Sequence, residues 1–189
     1  MTGQPVADDG WYSEEVLVDR DGALHTLTAT ELGAAIAPRE VEAVSVVEAS
    51  RSRIERLDDA IRAWVSLDWE QALSTATQRD AEARERSLRE RSLRGPLHSV
   101  PVGMKDIYDV AGMVTTAGAA PFAHGRPRTD ATAVARLREA GAIILGKTAT
   151  TQFAYTDPAE TRNPWNQVSR TNQGLRGHVV LGSGSRCRL

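Results

Sequence analysis

Lys105 is the side chain of this sequence whose position best suits it for chemistry, because it ends an apolar run that is typical of a buried strand. Alternate residues of a strand face opposite sides, which groups Lys105 with Gly103 and separates it from the apolar Val102 and Met104. The amine would emerge at the strand end, beside a glycine that lets another backbone come close. Burial disfavours the ammonium form, so a lysine in this place can titrate below its usual pKa and act as a base. The residues alone leave a second interpretation open, in which Lys105 forms a structural ion pair with Asp106.

A phosphate-binding loop is the second candidate, since residues 141–148 read Gly-Ala-Ile-Ile-Leu-Gly-Lys-Thr. The four residues between the glycines would have to form an open loop whose amides surround a phosphate. They are instead apolar and favour a strand that is buried on both sides. We therefore interpret Lys147 as a lysine at a strand end that shares a face of the sheet with other polar groups.

Metal and cysteine chemistry find little support in the sequence. The four histidines lie far apart, and none stands in a ligand pattern with another His, Asp or Glu (His25, His98, His124, His178). The single cysteine, Cys187, lies in a C-terminal segment of unusual composition. The sequence also contains no Gly-x-Ser-x-Gly nucleophile elbow.

Length and composition are those of a soluble globular domain. The 189 residues suit one domain or slightly more, with 41% hydrophobic and 25% charged residues. The formal net charge of −2 gives no electrostatic argument for binding nucleic acid or an anionic membrane surface. The first residues lack the apolar core of a signal peptide, and no apolar run approaches the roughly 20 residues that cross a bilayer. Together with the single thiol, these features favour a cytoplasmic protein without a membrane segment.

Helices and strands alternate along the chain after a polar extension over residues 1–26. Thr28 or Thr30 can cap a short helix that runs to Ala37, and Pro38 can begin a second, amphipathic helix. The pattern then predicts a helix over about 67–88, a strand at 100–105, a helix over 130–141 and a buried strand at 142–145. Helix followed by buried strand, twice over, indicates an α/β layer architecture with a central sheet.

Several blocks of sequence, in order, resemble the amidase signature family. They are Gly95–Asp106 (Gly-Pro-Leu-His-Ser-Val-Pro-Val-Gly-Met-Lys-Asp), Thr115–Gly118, Asp130–Gly141, Ala142–Thr148, Phe153–Ala154 and Arg162–Asn166. The helical stretch Thr28–Leu88 is also similar to the N-terminal helices of that family, so that the resemblance covers about residues 28–171. It implies an α/β fold over residues 27–171: the N-terminal part of an α/β/α sandwich, with N-terminal helices and an incomplete mixed sheet.

The resemblance also implies a chemistry. Members of the family hydrolyse or transfer amide bonds with a Ser–Ser–Lys triad and use no metal or cofactor. Lys105 would be the base of this triad. It would take a proton, through a bridging serine held on a cis peptide bond, from the serine that attacks the amide carbonyl and forms an acyl-enzyme. Backbone amides of a Gly- and Ser-rich loop would stabilise the oxyanion, and the small-residue loop 115–120 would line the substrate cavity.

Residues 172–189 depart from the family pattern. The bridging serine and the oxyanion loop should follow the Asn-Pro-Trp-Asn motif, and the nucleophile should lie further on than the last residue of this chain. The segment is instead rich in arginine and shows no periodicity, and it places Ser183 and Ser185 among the wrong neighbours for a role with Lys105. We hypothesise that the reading frame is lost near the start of this segment, because a one-base shift can turn residues 176–181 into Gly-Gly-Thr-Ser-Ser-Ser.

Three functions follow as expectations. The first is hydrolysis of a small-molecule amide by the full-length form, with the present chain inactive because the serine loop and the nucleophile are missing. The second is that of a protein similar to the A-type component of an amidotransferase, which acts on aminoacyl-tRNA within a complex. The third is a non-catalytic fragment that binds a partner, or aggregates, through the uncovered face of an incomplete sheet. The sequence also leaves open whether the chain forms a homo-oligomer.

Overall fold

The computed structural model describes residues 24–88, 93–119, 121, 123, 125–155, 159–163 and 166–170. Apart from residues 24–26, the expected extension over 1–26 lies outside the described residues. So does the tail over 172–189, with Ser183, Ser185 and Cys187. The division of the chain at these two boundaries therefore stays a prediction.

A three-stranded mixed sheet lies at the centre of the described structure. Its strands are β1 (Trp64–Leu67), β2 (Pro101–Lys105) and β3 (Ile143–Thr148), in the order β1-β3-β2. The central β3 runs parallel to β2 and antiparallel to β1. All residues of β3 are buried, which confirms the prediction of a strand covered on both sides, although the strand continues past Leu145. The stretch that matched a phosphate loop is thus regular strand.

Helices pack on both faces of this sheet. The described residues form four α-helices: α1 (Ala29–Ile36), α2 (Ala43–Ile61), α3 (Trp69–Leu88) and α4 (Thr132–Glu139). Short 3-10 helices lie at Leu24–Thr26 and Gln152–Ala154, and β4 (Arg162–Asn163) pairs with β5 (Asn166–Arg170) in a separate antiparallel ribbon.

Two apolar clusters show which residues face each helix layer. Val100, Val102 and Met104 belong to one cluster, together with buried residues of α1 and α4 and with Val46 of α2. Ile143 and Leu145 of β3 belong to the other, together with buried residues of α2 and α3. The grouping of Val100, Val102 and Met104 on one face, as predicted for residues 100–105, is therefore confirmed, and Lys105 is not part of their cluster.

Two expected helix boundaries are wrong, and one strand was not expected. The second helix begins at Ala43 and not at Pro38, which lies in a turn. Leu67 ends a strand and does not begin a helix, and the third helix starts at Trp69. Strand β1 was not predicted, because its four residues are half-buried or exposed without a regular alternation of polarity.

The carboxylate of Asp80, on α3, fixes the start of α2. Its two oxygens accept hydrogen bonds from the backbone N–H groups of Ala43 (2.7 Å) and Val44 (3.2 Å). Glu42, the residue at the cap position itself, makes no such side-chain bond. A helix start that depends on a residue so distant in sequence cannot be seen in a local window of the sequence.

We expect Asp80→Ala to lower the free energy of unfolding by about 1–2 kcal/mol, because one buried and one half-buried N–H group at the start of α2 lose their acceptor. Urea unfolding followed by tryptophan fluorescence measures this loss. Asp59→Ala is the matched control, since Asp59 is exposed on α2 and its change should stay within about 0.5 kcal/mol. Equal losses in the two variants would show that the cap contributes nothing.

Candidate active site at the carboxyl end of the sheet

Lys105 is the last residue of β2 and is half-buried. It lies opposite Thr148, the last residue of β3, so the segments that follow both parallel strands leave the sheet at the same edge. Within the described part of the chain, the Lys105 amine has no hydrogen-bond or ion-pair partner. The structure therefore presents an amine at the rim of the sheet, partly withdrawn from water and held by no counter-charge from the described residues.

Gly103 makes room for an aromatic ring beside this lysine. A Cβ atom at this position would lie 2.7 Å from Cη2 of Trp64 and 2.8 Å from Cγ2 of Thr148. Trp64 belongs to β1, so its indole reaches across β3 to cover β2. The expectation that another backbone comes close to this glycine is wrong, since its nearest neighbours are side chains.

Asp106 pairs with Lys147 and not with Lys105. Lys147 Nζ lies 2.7 Å from Asp106 Oδ1, and neither side chain has any exposed surface. The structural interpretation of Lys105 as the ion-pair partner of Asp106 is therefore wrong. Lys147 lies one residue before the end of β3, and its amine lies among polar groups, which confirms the interpretation of its surroundings.

The loop over residues 114–118 lies against this ion pair. Lys147 Nζ donates to the Thr115 hydroxyl (2.9 Å) and to the Val114 carbonyl (3.3 Å). Asp106 Oδ2 accepts hydrogen bonds from the backbone N–H of Thr116 (3.1 Å) and from its hydroxyl. Thus Thr115 and Thr116, part of the loop 115–120 that the resemblance implies as a lining of the substrate cavity, are bound to the ends of β2 and β3.

Exposed apolar side chains occur in the segments that follow β2 and β3. Ile107 (37% exposed) and Tyr108 (40%) lie just after β2, and Phe153 (54%) and Tyr155 (80%) lie in the segment after β3. Val65, at 45%, is the other large apolar side chain of comparable exposure in the described residues. Large apolar side chains that stay exposed next to a candidate site are typical of a ligand or partner surface.

A cleft of about 450 Å³ opens beside the same loop, on the side of β1. Gly118 and Thr150 line it, together with Arg62 and Trp64. The Thr150 hydroxyl is buried and has no hydrogen-bond partner among the described residues. Lys105 does not line this cleft, so the cleft alone does not mark the site of the chemistry.

Of the remaining candidates for metal or nucleophile chemistry, the two in the described residues, His25 and His98, do not lie beside Lys105. His98 is 2% exposed, and its Nε2 lies 3.3 Å from the Arg79 carbonyl, on the side of α3. His25 is buried in the short helix before α1, while His124 and His178 lie outside the described residues. The described residues contain no cluster of His, Cys, Asp and Glu that could hold a metal ion.

The Asp106–Lys147 pair is the part of the site that sequence reasoning missed. A signal for it existed in the composition, since two of the 23 lysine and arginine residues are lysines. Both lie on neighbouring strands at the same end of the sheet. In a chain that otherwise uses arginine for its positive charge, two lysines in such places point to roles that a guanidinium cannot fill.

None of the helices in the described residues is both long enough and apolar enough to span a membrane. This finding concerns residues 24–88, 93–119 and the described parts of 121–170.

Known proteins match the chain over most of its described part. A family model described as Amidase matches residues 45–171. The A-type component of the glutamyl-tRNA(Gln) amidotransferase of Acidothermus cellulolyticus is 40% identical over 156 residues, which cover 79% of this chain and 30% of the relative. An amidase of Pseudomonas putida is 39% identical over 143 residues, covering 75% of this chain and 29% of the relative.

A solved structure agrees with these relatives. The X-ray structure of native peptide amidase from Stenotrophomonas maltophilia matches with a TM-score of 0.66 and 35% identity, over 74% of this chain and 30% of that one. This chain thus spans about 30% of the length of the first relative. Because the family model matches more than half of the chain, and the mixed α/β fold is that of the family's solved members, the chain belongs to the amidase signature family.

Proposed function

We propose that Lys105 is the base of a Ser–Ser–Lys amidase that hydrolyses a small-molecule amide. The observation that carries the proposal is the half-buried amine at the end of β2, which no described residue binds. The adjacent carboxylate of Asp106 is neutralised by a different lysine, so it does not hold the Lys105 amine. The amidases among the relatives support amide hydrolysis as the reaction.

The mechanism needs the Lys105 amine in its uncharged form. The amine accepts a proton from a bridging serine, which takes the proton of the nucleophilic serine as that oxygen attacks the amide carbonyl. The C–N bond breaks when the leaving amine receives this proton, and water then cleaves the acyl-enzyme. The exposed apolar side chains around the edge, such as Tyr108 and Phe153, are suited to an aryl or aliphatic substituent of the substrate.

Of the three residues of the triad, the family-like part of this chain matches Lys105. We therefore expect the 189-residue polypeptide not to turn over amides by itself. We propose that a chain read in the shifted frame from about residue 172 supplies both serines and is active. Comparable rates of hydrolysis by the two forms would contradict this part of the proposal.

In the frame-restored chain, we expect Lys105→Ala to lower kcat for a simple aryl amide by about 10³-fold, because general-base catalysis is lost. Lys105→Arg keeps the positive charge but cannot supply a free base, so it should lose about as much activity as Lys105→Ala. Released aryl amine measures turnover, and circular dichroism checks that each variant is folded. Activity within about threefold of the unmodified form in either variant would remove Lys105 from the mechanism.

A component of an amidotransferase is the second candidate, because such a protein, 40% identical, is among the relatives. It would transfer ammonia to an aminoacyl-tRNA within a complex. The frame-restored chain discriminates between the two functions. Hydrolysis of simple amides by the isolated protein favours the amidase, whereas activity that appears only with further protein components favours the amidotransferase.

A further inference from the structure

The atoms of the Asp106–Lys147 pair that do not bind each other bind the loop over residues 114–118. Lys147 Nζ contacts the Thr115 hydroxyl and the Val114 carbonyl, and Asp106 Oδ2 contacts the backbone and hydroxyl of Thr116. The Thr116 hydroxyl also accepts a hydrogen bond from the Gly118 N–H at 3.2 Å. Both charged groups therefore form hydrogen bonds with the same short segment.

This segment needs such contacts, because its backbone is held in an unfavourable conformation. Ala117 has φ of 52° and Gly118 has φ of 70°, so two consecutive residues are left-handed and one of them carries a Cβ atom. Ala117 is held from both sides: its N–H donates to the Asp106 carbonyl (2.9 Å), and its carbonyl accepts from the Phe153 N–H (2.7 Å).

The segment has little apolar burial of its own to keep it in place. Residues 114–117 are half-buried and Gly118 is exposed. A Cβ atom at Gly118 would lie 2.8 Å from the Thr150 carbonyl, so the loop lies closely against the segment after β3. Polar contacts, including those to Asp106 and Lys147, therefore hold the segment in place.

A buried ion pair is a poor way to gain stability alone, since apolar residues of similar volume often serve as well. We infer that Asp106 and Lys147 are positioning residues, which fix the backbone of residues 114–118 beside Lys105 at the edge where substrate would bind. The catalytic part of this inference rests on the proposed function, whereas the geometry of the loop can be tested without measuring turnover.

Amide hydrogen exchange of the 189-residue chain, read by NMR, tests the inference. In the double variant Asp106→Leu/Lys147→Met, which removes both charges, we expect exchange at Thr116, Ala117 and Gly118 to accelerate by at least about tenfold. The Ile143 amide, which donates to the Val100 carbonyl within the sheet, should change by less than about threefold. Loop amides that exchange as slowly as in the unmodified chain would overturn the inference, as would equal acceleration at Ile143.

A milder change keeps the test valid if the double variant does not fold. Thr116→Val keeps the shape of the side chain but removes the hydroxyl between Asp106 and the Gly118 N–H, so Gly118 should exchange about tenfold faster. Thr116→Ser keeps the hydroxyl and should restore slow exchange. Fast exchange in both variants would show that the hydroxyl has no positioning role. Neither result depends on hydrolysis, so failure here is distinct from failure of the Lys105 variants.

Discussion

Lys147→Met is expected to lower the free energy of unfolding by about 3–5 kcal/mol, the range observed when one partner of a buried ion pair is removed. Methionine fills much of the space of the lysine stem, so the loss comes from charge and not from a cavity. The Asp106 carboxylate, with no exposed surface, would be left in the interior without its counter-ion. Urea unfolding of the 189-residue chain, followed by tryptophan fluorescence, measures the change.

The double variant Asp106→Asn/Lys147→Met is the control for this interpretation. Asparagine keeps an oxygen that can accept the Thr116 N–H but carries no charge, so the unpaired buried charge is gone. We expect it to recover more than half of the stability lost in Lys147→Met. A single variant within about 1 kcal/mol of the unmodified chain, or a double variant no better than the single one, would show that the charge is not what matters.

Gly146→Ala is expected to lower the free energy of unfolding by about 3 kcal/mol, at the upper end of the range for inserting an atom into a packed interior. Gly146 lies in the central strand β3, opposite Leu67 of β1. A Cβ atom there would overlap the Ser66 carbonyl oxygen and would lie 2.9 Å from the Leu67 Cα. Both neighbours are backbone atoms, so β1 would have to move away from β3.

Gly33→Ala is the matched control, because it makes the same substitution in a helix with free space. The nearest atom to a Cβ at Gly33, which lies in α1, is the Pro96 carbonyl oxygen at 3.9 Å. Alanine should stabilise the helix there by about 0.5–1 kcal/mol. Opposite signs for the two variants are the expected result in the urea unfolding experiment. A stability loss below about 1 kcal/mol for Gly146→Ala would show that β1 can move away from β3 with little loss of stability.

The elements with a strong local pattern were predictable from the sequence. The apolar run of β3 and the alternation of β2 arise from burial, which acts on every residue of a strand and so leaves its pattern in the sequence. The capping box of α1 is equally local, since Thr28 and Glu31 bond each other's backbone N–H groups. The α/β class and the position of Lys105 at a strand end follow from these patterns.

Features that depend on distant contacts were not predictable. The start of α2 is set by Asp80, and the pairing of Asp106 is set by Lys147, which lies on another strand. Because Asp106 directly follows Lys105 in the sequence, Lys105 was considered as its ion-pair partner, which is wrong. In a strand, neighbours in sequence point to opposite faces, so a residue across the sheet was the better candidate.

The scarcity of lysine has a practical consequence for anyone handling this polypeptide. Reagents that acylate amines do not react with guanidinium groups. Of the two lysines, Lys147 is fully buried, whereas Lys105 is partly exposed to solvent. Apart from the α-amino group, an amine-reactive dye or cross-linker would therefore label a single site, Lys105 at the rim of the sheet.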